Sequence, residues 1–333
     1  MSTGNQPPFI SVCIPAYKHP EYLKRLLDSL AIQTFKDFEV IITDDSPDDS
    51  VLELSKLYLQ SFPVFYYKNL TALGTPANWN EGIRKANGAW IKLIHDDDWL
   101  SSANSLQDFV QAIQSNTTVD FIYSAFRNVD VQSDENVLNA VREKIVRPAP
   151  ARMKQLAANP VTLLSKNIIG PPSVVIHKND GKLFYDTQLK WLVDIDFYIR
   201  YLGKHKAFFL DKPLVNIGIN PLQVTNSSSL VPEVEIPEHF NVLEKTGVNS
   251  LRNLLVYDAW WRLFRNLKIK SAGDIAAAGY KGQVPQVLKK MVSFQSKFPY
   301  RLLKLGVFSK SFMLASYIVN RSFVEWTSRS AHL

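Results

Sequence analysis

The 333-residue chain has one cysteine, Cys13. A single thiol closes no disulfide within the chain, so packing alone must hold the fold, and this usage fits a reducing compartment. Cys13 lies inside the apolar run Phe9–Ile14, where a small buried hydrophobe is the expected role, not a nucleophile. No uninterrupted apolar stretch approaches the about 20 residues that span a bilayer. Residues 1–8 carry neither a basic nor an apolar segment and read as a polar lead-in, not a signal peptide. The chain also lacks an internal repeat, a G-x-G-x-x-G fingerprint and a Walker-type phosphate loop.

What is present is an ordinary globular balance, 46% hydrophobic and 21% charged residues, which excludes a disordered or fibrous chain. The length suits one large domain, or a domain with an appendage, and can bury a sizeable core. A net charge of +7 favours anionic partners: nucleotide phosphates, nucleic acid or an anionic membrane face. Nucleic acid is set aside, because the basic residues are scattered and form no known module.

Strand and helix signals alternate over the first 130 residues. The run 9–15 stops at Pro15, and Pro20 suits the first turn of a helix whose Tyr22, Leu23, Leu26, Leu27 and Leu30 share one face. Further strands are expected at 38–43, 64–67, 89–95 and 121–126, with helices near 52–58, 77–86 and 106–113. Such alternation predicts an α/β fold with a mostly parallel sheet flanked by helices. Its functional loops gather at the carboxyl edge, which would bring residues 15–17, 44–45 and 96–98 together. The pattern is weaker afterwards: 135–150 reads as loop, 155–166 as helix, 169–173 as a turn into a strand at 174–176, and 189–202 as helix. The stretch 221–237, rich in Ser, Asn and Pro, reads as a linker. Helical stretches around 257–268 and 300–326 follow.

Three consecutive aspartates, Asp96, Asp97 and Asp98, end the fourth strand. Like charges this close repel, and the usual compensation is a hard divalent cation with oxygen ligands; a solvated acidic turn is the other reading. Asp44 and Asp45 end the second strand, where helix capping competes with ligand binding.

Five features together resemble the nucleotide-binding half of a family 2 glycosyltransferase with the GT-A fold. They are Val12–Tyr17, Ser29–Thr34, Phe38–Ser46, Gly74 with Asn78-Trp79-Asn80, and the aspartate triplet. The resemblance covers roughly residues 8–130 well, thins towards 225 and ends there. It implies a GT-A domain over 1–225, with a nucleotide-sugar half (8–130) and an acceptor half (131–225), and a helical C-terminal region over 226–333. It further implies a nucleoside-diphosphate sugar donor, UDP-sugar favoured, and a Mg²⁺ or Mn²⁺ ion. Pro15, Ala16 and Tyr17 would wall the base pocket and Asp45 would accept from the nucleobase. Asn78 and Asn80 would contact the donor or pin its loop. Asp96 would face the ribose, Asp97 would bind the metal, and Asp98 would support the metal or its waters. His95 is expected as a packed strand-end residue.

The stretch Lys190–Arg200 resembles the family's base motif, with Val193 in place of the usual Glu. Asp194 is thereby implied as the base for an inverting transfer, with Asp196 as runner-up; helix N-terminal acids favoured by the dipole are the plain alternative. Relatives often carry a metal-binding histidine where Asn220 stands. Gly170–Ser173 is a weak candidate for the acceptor pocket.

In the C-terminal region, Trp260, Trp261, Phe264 and Leu267 with Arg262, Arg265 and Lys268 suggest an interfacial amphipathic helix, extended by Phe308, Phe312, Met313, Tyr317, Phe323 and Trp326. The expected partners are a glycan or lipid-linked acceptor and an anionic membrane, the expected location the cytoplasm or its membrane face. The rival readings are a metal-dependent nucleotidyltransferase and a non-catalytic scaffold with a degenerate transferase fold. The first strand-to-helix loop lacks the glycine that the nucleotidyltransferase predicts.

Overall fold

The computed structural model describes residues 6–130, 143–219 and 230–329. They form two compact units. The first takes in the residues up to Ala157, Ile168–Thr187 and those from Phe197 to 219; the second holds Ala158–Asn167, Gln188–Asp196 and the residues from 230 onward.

The first unit is built on β1 (Ile10–Ala16), α1 (Pro20–Ala31), β2 (Phe38–Asp44), α2 (Ser50–Lys56), β3 (Val64–Lys68), α3 (Ala77–Lys85), β4 (Trp90–Leu93), β5 (Trp99–Leu100), α4 (Ser105–Ser115), β6 (Phe121–Asp130), β7 (Glu143–Val146), α5 (Pro150–Ala158) and β8 (Val175–Lys178). Helix α6 (Val193–Leu202) begins in the second unit, and β9 (Ala207–Ile219) closes the first. Among the described residues the strands make one nine-stranded sheet in the order β3-β2-β1-β4-β8-β6-β9-β5, with β7 beside β6.

β1 and β2 are buried along their whole length, as strands covered on both faces must be. They pair in parallel from Ile10 opposite Phe38 to Ala16 opposite Asp44. Gly88 makes the approach of β4 to β1 possible: a Cβ there would lie 2.5 Å from the Ser11 backbone nitrogen. The parallel ladder runs through β3-β2-β1-β4 and recurs between β6 and β9. β8 runs antiparallel to both β4 and β6, and β5 and β7 are antiparallel additions. The α/β, GT-A-like fold with a helical C-terminal region is thus present.

Several local expectations change. β9 escaped the sequence pattern because Asp211-Lys212-Pro213 interrupts its alternation. The ladder accommodates this with a register shift: Ser124 pairs with Leu210 and Ala125 with Pro213, and a proline donates no ladder hydrogen bond. β7 occupies part of the stretch read as loop, and α5 begins and ends earlier than the helix expected at 155–166.

The second unit is helical: α7 (Pro232–Thr246), α8 (Leu254–Asn266), α9 (Ala272–Ala277), α10 (Gln286–Gln295), α11 (Tyr300–Lys304) and α12 (Gly306–Arg329). Two expectations are corrected here. Residues 232–237, assigned to a linker, open α7: Pro232 occupies the first turn, where its missing N–H costs nothing, and Ile236, Phe240 and Leu243 form a buried stripe. Trp260, Trp261 and Phe264, read as membrane-facing, are fully buried and pack with Phe240, Leu288 and Met291 as the core of this unit. Among the described residues, no helix is long and apolar enough to cross a membrane.

Candidate active site

The carboxyl ends of β1, β2 and β4 converge, as the alternation requires. The Asp45 N–H donates to the Ala16 carbonyl (3.0 Å), and the Tyr17 N–H donates to Asp96 Oδ2 (3.3 Å). Pro15 and Ala16 are buried, whereas Tyr17 is 51% exposed, with Lys18 Nζ 4.8 Å from its ring centroid. The loop after Tyr17 puts two non-glycine residues, Lys18 (φ 60°) and His19 (φ 53°), in the left-handed region. Such strain concentrates at functional loops; here the Lys18 N–H is anchored on Ser46 Oγ at 2.7 Å.

Asp44 and Asp45 are saturated with donors. Asp44 accepts from the Ser46 N–H (2.7 Å), Tyr66 hydroxyl (2.7 Å) and Lys68 Nζ (3.1 Å). Asp45 accepts from Asn69 Nδ2 (2.8 Å) and the N–H groups of Leu73 (3.0 Å) and Gly74 (2.8 Å). Neither caps α2, whose N-cap is Asp49; Asp45 instead clasps the 69–74 loop. Asn78 likewise pins the sheet edge, donating to the Thr43 carbonyl at 3.0 Å. Of the two roles expected for Asn80, donor contact or loop tie, its hydrogen bonds are those of a tie. It is 1% exposed, and both ends of its amide are held by the Tyr185 backbone at 2.8 Å.

The triplet is built differently. The His95 ring packs tilted against Trp79 with centroids 4.7 Å apart, and the His95 backbone N–H donates to Ser173 Oγ at 3.0 Å. Asp98 is buried and accepts from the Gly218 N–H at 3.0 Å and from the Ser173 hydroxyl. Arg25 stacks on Trp99 at 3.7 Å and donates to the Asp97 carbonyl at 2.9 Å, fixing the backbone of the turn. Beneath it, the fully buried Lys92 donates to the Ser173 and Val175 carbonyls.

Backbone N–H groups of Tyr17, Asp96 and Asp97 reach Asp96, and Ser173 and Gly218 reach Asp98, but burial outweighs these donors. Burial first, then neighbouring Asp97, pushes Asp96 up to about 8. The same two causes hold Asp98 well above the usual carboxylate range, against the pull of Ser173, Gly218 and Lys92. Burial brings His95 below the usual imidazole value and Lys92 down to about 7.

One ligand atom from each of His95, Asp97 and Asp98 lies within 4.8 Å of the others, and His95 Nε2 is buried without a hydrogen-bond partner. An orphaned imidazole nitrogen beside two crowded carboxylates fits a divalent cation. His95 was expected to be packed; it is, against Trp79, and it also belongs to this cluster. Its pairing with an acid three residues on (Nδ1 to Asp98 Oδ2, 3.8 Å) is the signal that could have found it. Ser173 and Lys92 were missed as supports because a β8 neighbour and an inward strand lysine leave no trace in spacing. Asn220, the position in question for a further ligand, lies outside the described residues.

In the second unit, Asp194 stands in the first turn of α6 and accepts from Asn167 Nδ2 and the Ile195 N–H, each at 2.8 Å. Burial raises it to about 6 despite these donors. Asp196 is 1% exposed and ion-paired with Lys245 at 2.8 Å. The segment leading into α6 hangs on Glu238 of α7, whose carboxylate accepts from the N–H groups of Lys190 (2.7 Å), Trp191 (2.9 Å) and Leu192 (2.8 Å). Sequence reading missed Glu238, since it follows the stretch taken for a linker.

The sheet thus gathers its strand-end loops at one edge, with an acidic cluster after the fourth strand. Residues 11–160 match the family described as "Glycosyl transferase family 2". The chain carries a family 2 glycosyltransferase domain on a GT-A fold. It is 29% identical over 197 residues to an uncharacterized glycosyltransferase of Haemophilus influenzae, an alignment spanning 58% of this chain and 62% of that protein. The fold is shared with S. aureus TarS 1-349 in complex with UDP-GlcNAc (TM-score 0.53, 17% identity, covering 96% of this chain and 92% of that one). It is also shared with a mannosyltransferase from Pyrobaculum calidifontis in complex with GDP-Man and Mn²⁺ (TM-score 0.54, 13% identity, 95% and 87%).

Proposed function

We propose that this protein is a metal-dependent inverting glycosyltransferase that moves a sugar from a nucleoside-diphosphate sugar, UDP-sugar preferred, to a hydroxyl of a surface or cell-wall glycan or its lipid-linked precursor. The observation that carries the reading is the crowded His95, Asp97 and Asp98 cluster at the carboxyl edge of a family 2 domain. Asp97 and Asp98, with His95, would hold Mg²⁺ or Mn²⁺, whose charge stabilises the departing diphosphate. Tyr17 and the backbone of Pro15 and Ala16 would border the nucleobase, with Asp45 facing it and Asp96 facing the ribose.

Asp194 is the base in this reading. It takes the proton of the acceptor hydroxyl as that oxygen bonds to the anomeric carbon and the diphosphate leaves with the electron pair of the broken bond. Its raised pKa supports the role, because a base works best near the operating pH. Asp196 is a poor rival, since its charge is already answered by Lys245. A lipid-linked acceptor would place the enzyme at the cytoplasmic membrane face.

Diphosphate release from a panel of sugar nucleotides with Mg²⁺ or Mn²⁺ tests the proposal. Metal-dependent turnover of one donor, lost in Asp97→Ala and Asp194→Asn, is the expected result. Folded protein that neither binds nor turns over any donor would put the degenerate-scaffold reading first.

A further inference from the structure

Helix α12 buries polar side chains among its core contacts and turns apolar ones outward. Its inward face carries Ser309, Ser316 and Asn320, exposed by 3% or less, beside the core residues Met313 and Val324. Its outward face carries Val307, Phe308, Leu314, Ile318 and Val319, of which Val307 is 80% and both Ile318 and Val319 are 62% exposed. Their separations of four, seven and eleven residues put them on one side of a helix.

The orientation is locked. Trp261 Nε1 donates to Ser309 Oγ (3.0 Å), the Tyr257 hydroxyl pairs with Ser316 Oγ (2.8 Å), and Asn320 Nδ2 donates to Ser316 Oγ (3.1 Å). Rolling the helix to hide its apolar face would leave the Trp261 and Tyr257 polar groups buried without partners. The apolar stripe is thus a fixed outward surface, of the kind that marks an interaction site.

Its flanks say what it meets. Lys310 and Arg321 border the stripe and Arg301 and Lys304 precede it, all exposed. Between Asp274 and Glu325 the sequence has eight Lys and Arg residues and no Asp or Glu. A second copy meeting the first through this face would set cation against cation, with Glu325 the one carboxylate in the helix sequence. Anionic headgroups over an acyl boundary satisfy both features at once.

We propose that the outer face of α12 is an interfacial membrane-binding surface for anionic phospholipid, with the apolar stripe in the acyl boundary and the flanking cations at headgroup phosphates. This sharpens, and rests on, the membrane-face part of the function proposed above, but not on the sugar chemistry. It also replaces the helix that sequence pattern suggested for the role: α8 is core, and α12 is the surface.

The test is co-sedimentation of the full chain with vesicles of phosphatidylcholine alone or mixed with phosphatidylglycerol, alongside its sedimentation velocity without lipid. Wild type should bind the mixed vesicles, more weakly as salt rises. An Ile318→Ser, Val319→Ser double variant and a Lys310→Glu, Arg321→Glu double variant should each lose more than about ten-fold in partitioning. All four residues are exposed, so circular dichroism and vesicle-free diphosphate release should match wild type. If vesicle binding fails while diphosphate release persists, only this proposal falls. Absence of wild-type binding, binding indifferent to the serine variant, or a lipid-free dimer that the serine variant abolishes would each overturn it, the last in favour of a second copy.

Discussion

The two acidic clusters at the sheet edge are opposites. Asp44 and Asp45 end β2 surrounded by hydroxyl, amide, ammonium and backbone donors, six of which lie within 3.1 Å. Asp96 and Asp98 follow β4, where burial and neighbouring Asp97 drive their carboxyls upward despite the backbone and Ser173 donors they accept from. Both clusters look alike as strings of aspartate. A carboxylate whose lone pairs are filled by the chain is already stabilised as an anion; one that is buried and crowded is stabilised by an arriving cation. The first cluster accordingly holds the 69–74 loop in place, and the second is the metal site of our proposal.

That contrast can be broken most sharply at Asp97. Asp97→Ala should lower metal-dependent diphosphate release by about 10³-fold or more while leaving urea unfolding without metal nearly unchanged. A large stability loss with intact turnover would reverse the assignment. Next in size, Asp194→Asn should cost about 10²–10⁴-fold in kcat, whereas Asp196→Asn should act mainly on stability by leaving Lys245 unpaired.

The pH profile sharpens the same distinction. Since Asp194 titrates near 6, kcat/KM should fall about ten-fold per pH unit below that value. The sign for stability is opposite. A folded-state value above the ordinary 3.8 means that this group favours the fold more as pH drops from about 6 towards 3.8.

Asp45→Ala should act mainly on stability, with a smaller loss of donor affinity. It strands the Leu73 and Gly74 N–H groups and the Asn69 amide, and should cost about 2–4 kcal/mol in urea unfolding. The smallest effect is on melting temperature. Mn²⁺ at about 100 times its Kd should stabilise wild type by about 2.7 kcal/mol, a rise of a few degrees. Asp45→Ala should keep that rise and Asp97→Ala should lose it; a rise equal in all three would remove the metal from the triplet.

Legibility in the sequence followed the range of the interactions. β1, α1, β2 and β4 were readable because each buries an unbroken apolar run or stripe, and their alternation alone placed residues 15–17, 44–45 and 96–98 at one edge. β9 and α7 were not, because a proline inside each breaks the local pattern that tertiary partners restore. Asn80 read equally as a donor contact or a loop tie, and its tie runs to Tyr185, 105 residues away. Trp260 and Trp261 looked like membrane anchors because a helix rich in aromatics and bases has the same periodicity whether its aromatic face meets lipid or core.

The sequence by itself thus determined the fold class, the edge where chemistry gathers and the family to which that pattern belongs, since these depend on periodicity and on short motifs at strand ends. Only the tertiary structure decided which aspartates clasp a loop and which are crowded together under burial, that Asp196 is ion-paired with Lys245, and that α12 turns apolar side chains outward. Each of those outcomes rests on hydrogen-bond partners far away in the chain, and local sequence carries no record of who those partners are.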